Sequence, residues 1–283
     1  MGDTLPQQTR IQYVRLRVRD LSRVRDFYQK VLGFHVVGSD EKTVALSATG
    51  QPPFQIELME DPRSVQRPPQ SPGLFHVAFR YADREALAAA LFRLVELKYP
   101  IEGAADHAVS EAIYLSDPED NGVELYCDRP RDSWLWRNGE VYMVTEPLDV
   151  GDLLNNARVA PSALDPRTEV GHVHLSVSNL AKAEEFYSGV LGFEVTMRSY
   201  PGALFFAADG YHHHVGTNVW RTRNGVSAPH NAMGLMEFGI VVPRNTWKAV
   251  GERLTRHGLR FEEPSEGVMR LSDYDGIGVV IAM

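Results

Sequence analysis

IQYVRLRVRDLSRVRDFYQKVLGFHVV, residues 11–37, returns as VGHVHLSVSNLAKAEEFYSGVLGFEVT, residues 170–196. With Tyr13 set over His172 no gap is needed. The copies share Val14/Val173, Leu16/Leu175, Val18/Val177, Leu21/Leu180, Phe27/Phe186 and Tyr28/Tyr187, then the run VLGF, Val31–Phe34 over Val190–Phe193. A match this dense marks an internal duplication, two domains of one ancestry. Within the first copy Val14, Leu16 and Val18 alternate with Tyr13, Arg15 and Arg17, the pattern of a strand with one packed and one polar face. Asp20 or Ser22 is placed to cap the helix that follows. Val24, Phe27, Tyr28 and Val31 form an apolar stripe at helical spacing, and Gly33 stops it. Three strand-like pieces come next, FHVVG, TVALSA and FQIELME, so the unit reads βαβββ.

The polar, proline-rich run DPRSVQRPPQSP, residues 61–72, is a connector. A second βαβββ unit follows: GLFHVAFRY, a helix over DREALAAALFRLVELK, then IEGAAD, EAIYLSD and GVELYCD, with a tight turn at Asp117–Gly122. Residues 131–168 break the pattern and read as a linker in which LDVGDLLNNA suggests a short helix. Trp134 and Trp136 are expected to pin it across the domain junction. GHVHLSVSN, a helix from Leu180 to Val190, FEVTMRS, ALFFAAD and HHVGTNVW make a third unit. LMEFGIVVP, a helix around Trp247 to His257, LRFEEP, GVMRLSD and IGVVIAM make the fourth. The division expected is a first domain over 8–130, the linker 131–168 and a second domain over 169–283. The fold class is α+β, with four βαβββ units paired into two cup-like domains.

Composition bounds the partners. A net charge of −8 disfavours nucleic acid, whose phosphates need a basic face. No apolar run is long enough to span a membrane, and the N-terminus lacks the apolar core of a signal peptide. The single cysteine, Cys127, excludes an internal disulfide and a cysteine-based metal site, and fits a cytoplasmic protein.

Alternation also selects the side chains that enter each cup. In the first half these are Tyr13, Arg15, Glu57, His76, Glu124 and Tyr126. Glu57 and Glu124 sit in mid-strand between apolar residues, which is costly unless they are ion-paired or bound to a metal. In the second half the inward residues are His172, His174, His212, His214 and Glu237, with His213 pointing the other way if its strand is regular. Without further information, ion pairs to Arg15, Arg17 or Arg80 and hydrogen-bonded core histidines account for these groups as well as a metal does.

The repeats resemble the vicinal oxygen chelate superfamily, which includes glyoxalase I, antibiotic-resistance proteins, methylmalonyl-CoA epimerase and the extradiol ring-cleaving dioxygenases. The stretches that carry the resemblance are YVRLRVRDL…FYQKVLGF, GLFHVAFRY, YLSDPEDNGVELY, GHVHLSVSNL…FYSGVLGF and DGYHHHVGTNVW. The two-domain layout is most similar to catechol 2,3-dioxygenase-type proteins. The resemblance implies metal ligands on the first and fourth strands of the units: Glu57, His76 and Glu124 in the first half, with Tyr13 where a histidine belongs, and His172 and Glu237 in the second. A dioxygenase of the usual type would have histidine at Glu237 and glutamate at Val280. The run at His212 and His214 matches the proton-handling region, and His174 lines the cavity. Iron is the metal implied, with zinc, manganese or nickel as alternatives. The expected function is metal-dependent extradiol cleavage of a catechol or related small aromatic. A glyoxalase- or epimerase-like enzyme using the first cup, and a non-catalytic small-molecule-binding protein, are the alternatives. Members of the superfamily often pair, so a homodimer is expected.

Overall fold

The structure, a computed structural model, describes residues 4–155 and 164–283. The first repeat holds β1 (Arg10–Val18), α1 (Leu21–Asp26), β2 (His35–Ser39), β3 (Thr43–Ser47) and β4 (Ile56–Glu60). The second holds β5 (Gly73–Tyr81), α2 (Arg84–Glu96), β6 (Gly103–Asp106), β7 (Ser110–Ser116) and β8 (Gly122–Asp128). The connection carries the short strands β9 (Trp136–Arg137), β10 (Glu140–Val141) and β11 (Glu146–Pro147), and the helix α3 (Val150–Asn155). Leu148 and Asp149 of the expected LDVGDLLNNA helix precede α3, and Asn156 and Ala157 lie outside the described residues. The third repeat holds β12 (Glu169–Ser176), α4 (Leu180–Glu184), β13 (Glu194–Met197), β14 (Ala203–Ala207) and β15 (Val215–Asn218). The fourth holds β16 (Gly234–Val241), α5 (Arg244–Arg256), β17 (Glu262–Ser265), β18 (Val268–Ser272) and β19 (Gly278–Ala282).

The two copies of the opening stretch are built alike. The Asp20 carboxylate accepts from the Arg23 amide at 3.0 Å, and the Asn179 side chain accepts from Ala181 and Lys182 at 2.9 and 3.1 Å. These caps satisfy amides that a helix start leaves orphaned. Each helix then runs on into a wider π-type turn, Phe27–Leu32 and Glu185–Val190. Phe34 donates to the Tyr28 carbonyl at 2.9 Å and Phe193 to that of Tyr187 at 3.0 Å. Gly33 and Gly192, at φ 92 and 93, take the left-handed step between. Val14, Leu16, Val18, Phe27 and Tyr28 are buried, as are their counterparts Val173, Leu175, Val177, Phe186 and Tyr187.

One sheet runs β17-β18-β19-β16-β1-β4-β3-β2 and the other β11-β6-β7-β8-β5-β12-β15-β14-β13. The first and fourth repeats therefore share one sheet, and the second and third share the other. The α+β class with four paired βαβββ units is what the sheets show, the pairs being first with fourth and second with third. Every repeat offers its first strand as an edge, and an edge seeks any complementary partner. Four edges of similar pattern do not encode which of them meet.

The chain condenses into two compact units. One contains the residues up to Arg15, Val65–Phe75 and His172–Met283; the other contains Leu16–Ser64 and His76–Gly171. In the second of these, Trp134 turns its indole N–H to the carbonyl of Arg129, only five residues back, at 3.0 Å. Trp136 stands 47% exposed on the β9–β10 hairpin. Both described contacts of Trp134 are local, to Arg129 and to the Arg131 guanidinium 5.8 Å from its ring.

Candidate metal centre

β5 and β8 are parallel neighbours with Ala78 opposite Glu124. His76, two residues before Ala78, shares that face. His76 Nε2 and Glu124 Oε2 lie 2.9 Å apart with side chains 7% and 4% exposed. Burial to this depth is unfavourable for an ionisable pair unless further groups complete it. Tyr114, opposite Glu124 on β7, sets its ring 5.7 Å from that of His76. The Tyr114 hydroxyl is 2.6 Å from His107 Nε2, and His107 Nδ1 is 2.6 Å from the Val144 carbonyl. A carbonyl only accepts, so Nδ1 carries the proton and Nε2 receives the tyrosine O–H. His107 reaches this cup through Tyr114.

His172 follows Gly171 on β12 and is buried. The ligand atoms of His76, Glu124 and His172 all lie within 4.8 Å of one another, the grouping of this kind found among the described residues. Two imidazoles and a carboxylate form the donor set that leaves open positions on ferrous iron. Donors at ~2.1 Å from one ion and near a right angle stand about 3 Å apart, which is the His76–Glu124 spacing. The residues present therefore fit a divalent metal.

Register explains what the third and fourth repeats lack. β12 and β15 set His174 opposite Gly216, and β16 and β19 set Gly239 opposite Val280. The position that Glu124 fills in the second repeat is thus glycine in the third and valine in the fourth. A Cβ on Gly216 would come within 3.0 Å of the His174 ring, and one on Gly239 within 2.2 Å of the Tyr13 ring.

Two expected ligands stand elsewhere. The Glu237 carboxylate is already claimed by two hydrogen-bond donors and by the charge of a second guanidinium. Tyr13 Oη donates to Oε1 at 2.9 Å, Arg15 Nη1 donates to the same oxygen at 2.6 Å, and Arg270 Nε lies 3.2 Å from Oε2. Two guanidiniums repel a cation at that spot. Burial, reinforced by the Glu237 charge, pushes the Tyr13 phenol well above its ordinary range, so it stays a donor. Glu57 sits on β4, opposite Ala45 and partly buried, in the sheet that does not contain His76 and Glu124.

The histidine run departs from alternation. The β12–β15 register, continued one step, would set His214 level with His172, but the strand begins only at Val215. Asp209 and Gly210, at φ 53 and 59, turn the chain before it. As a result His213, expected to point away, sets its ring centre 4.0 Å from that of His172, tilted by 48°. His212 is fully buried, 6.1 Å from His172, with its Nδ1 2.8 Å from His213 Nδ1. His214 instead accepts from the Ala208 amide at 3.2 Å and packs on Phe193 and Tyr211. His174, 4% exposed, lies among the rings of Phe75, Phe205 and Trp220. Tyr114, Phe75 and the reversal within the histidine run escaped a reading built on alternation. Strand register was the signal that located Tyr114 beside Glu124.

Comparison with known proteins adds the relatives. The model of the glyoxalase/bleomycin resistance protein/dioxygenase superfamily matches residues 10–125 and again 169–269. The chain is 41% identical over 276 residues to a catechol-2,3-dioxygenase of Bacillus subtilis (strain 168), covering 95% of each chain. Among solved structures, the cppA protein of Streptococcus pneumoniae TIGR4 superposes with a TM-score of 0.62 at 12% identity, over 99% of this chain and 98% of that one. Glyoxalase I from Zea mays superposes at 0.58 and 16% identity, over 97% and 92%. At these identities the two structures speak for the fold alone.

Proposed function

The chain belongs to the glyoxalase/bleomycin resistance protein/dioxygenase superfamily, and from that footing we propose that it is an extradiol ring-cleaving dioxygenase acting on a catechol or related small aromatic diol. The observation that carries the reading is the convergence of His76, Glu124 and His172. These residues would hold a divalent iron ion. When bound, iron supplies polarisation of both diol oxygens and electron exchange with dioxygen. The protein's part is to place the diol, hold water away and move protons. His213, whose ring lies against that of His172, is positioned to take a proton from the diol and return it later. His212, through its Nδ1 contact, fixes the orientation of the His213 ring. The Tyr114 hydroxyl, its proton directed at His107, presents an oxygen that accepts a hydrogen bond from a substrate hydroxyl.

The 41% identical relative named as a catechol-2,3-dioxygenase supports the choice of substrate class. The glyoxalase-like alternative loses ground because Glu57, a carboxylate it would use to move a proton between carbons, stands in the other sheet. The duplicated halves, 8–130 and 169–283, are proposed as units of descent, with the sheets as the units of packing. No helix among the described residues is long and apolar enough to cross a membrane. A reducing cytoplasm is the compartment proposed, since it keeps both iron and the lone Cys127 reduced. A homodimer remains the proposed assembly.

Metal analysis of protein purified without chelator, then anaerobic iron loading and a catechol assay, tests the reading. The expected result is about one iron per chain and a yellow ring-fission product. His76→Ala, Glu124→Ala and His172→Ala should each abolish both iron and product, while Glu57→Gln and Glu237→Gln keep the iron. Iron-loaded protein that opens no catechol would overturn the assignment.

A further inference from the structure

We infer that a basic hollow at the C-terminal end of α5 is a second binding site, one that takes the oxyanion of a small phosphate or carboxylate compound. None of its lining residues belongs to the proposed metal centre, and the inference does not depend on the reaction assigned there. Arg198, Arg253, Arg256 and His257 line a hollow of about 600 Å³. That size falls within the range of roughly 300–1,000 Å³ usual for small-molecule sites. Glu194 is the one acidic side chain among the described residues lining it, and Thr4 and Ser188 add hydroxyls to the wall. The Arg198 guanidinium is paired with the Glu184 carboxylate at 2.6 Å. The Arg256 guanidinium and the His257 ring find no partner among the described residues. With Glu184 and Glu194 both counted, the hollow still holds a surplus positive charge and a titratable imidazole, in a chain whose net charge is −8. Local fields of this sign concentrate anions.

The internal duplication supplies a control. α2 and α5 are each 13 residues long, so Arg93, Glu96 and Leu97 are the counterparts of Arg253, Arg256 and His257. The gapless match of the opening stretches, continued by two residues, sets Ser39 over Arg198. Arg93 Nε donates to the Val31 carbonyl at 2.9 Å and its Nη2 to that of Lys30 at 2.7 Å. Arg253 Nε likewise donates to the Val190 carbonyl at 3.0 Å and its Nη2 to that of Leu191 at 2.7 Å. A guanidinium at this one place belongs to the repeat, because it satisfies carbonyls that the π-type turn leaves open. The other three basic groups do not belong to it: the first half folds the same elements with a serine, a glutamate and a leucine there. Cations suit the negative end of a helix dipole, yet α2 ends on Glu96, and Arg198 follows β13 rather than a helix. Arg198, Arg256 and His257 are thus surplus to the architecture. Guanidinium forks match the paired oxygens of phosphate and carboxylate, which sets the chemistry of the ligand.

The test titrates inorganic phosphate and, separately, acetate into the full-length protein by isothermal titration calorimetry, with ionic strength held constant by chloride. At least one probe should bind saturably at a single site. Phosphate binding the tighter points to a phosphorylated ligand, and acetate binding the tighter to a carboxylate. Arg256→Gln and Arg198→Gln should each weaken that binding about tenfold, the loss expected for one charge-assisted contact. Both side chains are exposed, and circular dichroism melting confirms that each variant is folded. Arg63→Gln, which removes a cation far more exposed than these, should leave the binding unchanged. Saturable binding of neither probe overturns the site. So does binding that survives both Arg256→Gln and Arg198→Gln at full strength. An equal loss in Arg63→Gln would also overturn it, because the attraction would then be spread over the whole surface.

Discussion

Replacing Gly171 by alanine adds one methyl group directly before His172, and the surroundings of that methyl are closed. The new Cβ would stand 1.8 Å from Tyr126 Oη, 2.7 Å from its Cζ and 3.0 Å from Arg80 Cβ. Ordinary van der Waals contact needs well over 3 Å, so either the tyrosine or the strand must move by more than an ångström. Tyr126 has nowhere to go: it is fully buried against Ala78 and Ala112, with Tyr114 packed on that cluster. Overpacking in such a place costs about 3 kcal/mol, at the upper end of the usual range. For a chain of this size that corresponds to a Tm lower by ~6–12 °C. Urea unfolding gives the free energy, and iron content after loading reports whether β12 still presents His172. Tyr126→Phe removes the atom at 1.8 Å and leaves the one at 2.7 Å, so the double variant should recover part of the loss. A double-mutant cycle should show a favourable coupling of more than about 1 kcal/mol. Gly171→Ala with wild-type stability and full iron content, or a cycle with no coupling, would refute this account of how the strand is seated.

Three further outcomes are expected. Burial raises the carboxyls of Asp117 and Asp273 to about 6, above their ordinary value of 3.8; the folded state then binds more protons between these values, so stability falls as pH rises from about 4 to about 6, by about 3 kcal/mol per group, and Asp273→Asn should flatten part of that slope in urea melts at pH 4 and 7. Glu237→Ala leaves two guanidiniums facing each other and should cost about 2 kcal/mol in chemical unfolding, with iron content unchanged; loss of iron would restore Glu237 as a ligand. His213→Gln should lower kcat about a hundredfold while iron content stays at the wild-type level, and a variant with normal kcat would remove His213 from proton handling.

How much was legible depended on whether a feature is local. The four βαβββ units, the caps at Asp20 and Asn179 and the glycine exits at Gly33 and Gly192 follow from short-range pattern. The ligand-type residues His76, Glu124 and His172 were also visible as polar side chains on apolar strands. Their convergence was not visible, because it depends on which edge strands pair, and four similar edges leave that open. Alternation misplaced His213 and His214 because a turn at Asp209 and Gly210 interrupts the strand. Glu237 looked like a ligand because its claimants, Arg15 and Arg270, lie 222 and 33 residues away in the chain, where no motif connects them.

The buried tyrosines of the twice-written stretch have a consequence for how the protein can change over time. Tyr187 donates to Asp273 at 2.8 Å, and Asp117 is the charge that acts most strongly on the buried Tyr28 phenol. Each tyrosine belongs to the stretch that opens its half, and each aspartate to the turn that precedes the last strand of that half. The first half carries His76 and Glu124, and the second carries His172. Each half thus carries its own tyrosine and aspartate, but an incomplete set of donors. A gene truncated to either half would encode a chain that retains its own tyrosine–aspartate pair and lacks part of the triad. The duplication is repetitive in pattern and complementary in chemistry, so a mutation that silences one half cannot be covered by the other.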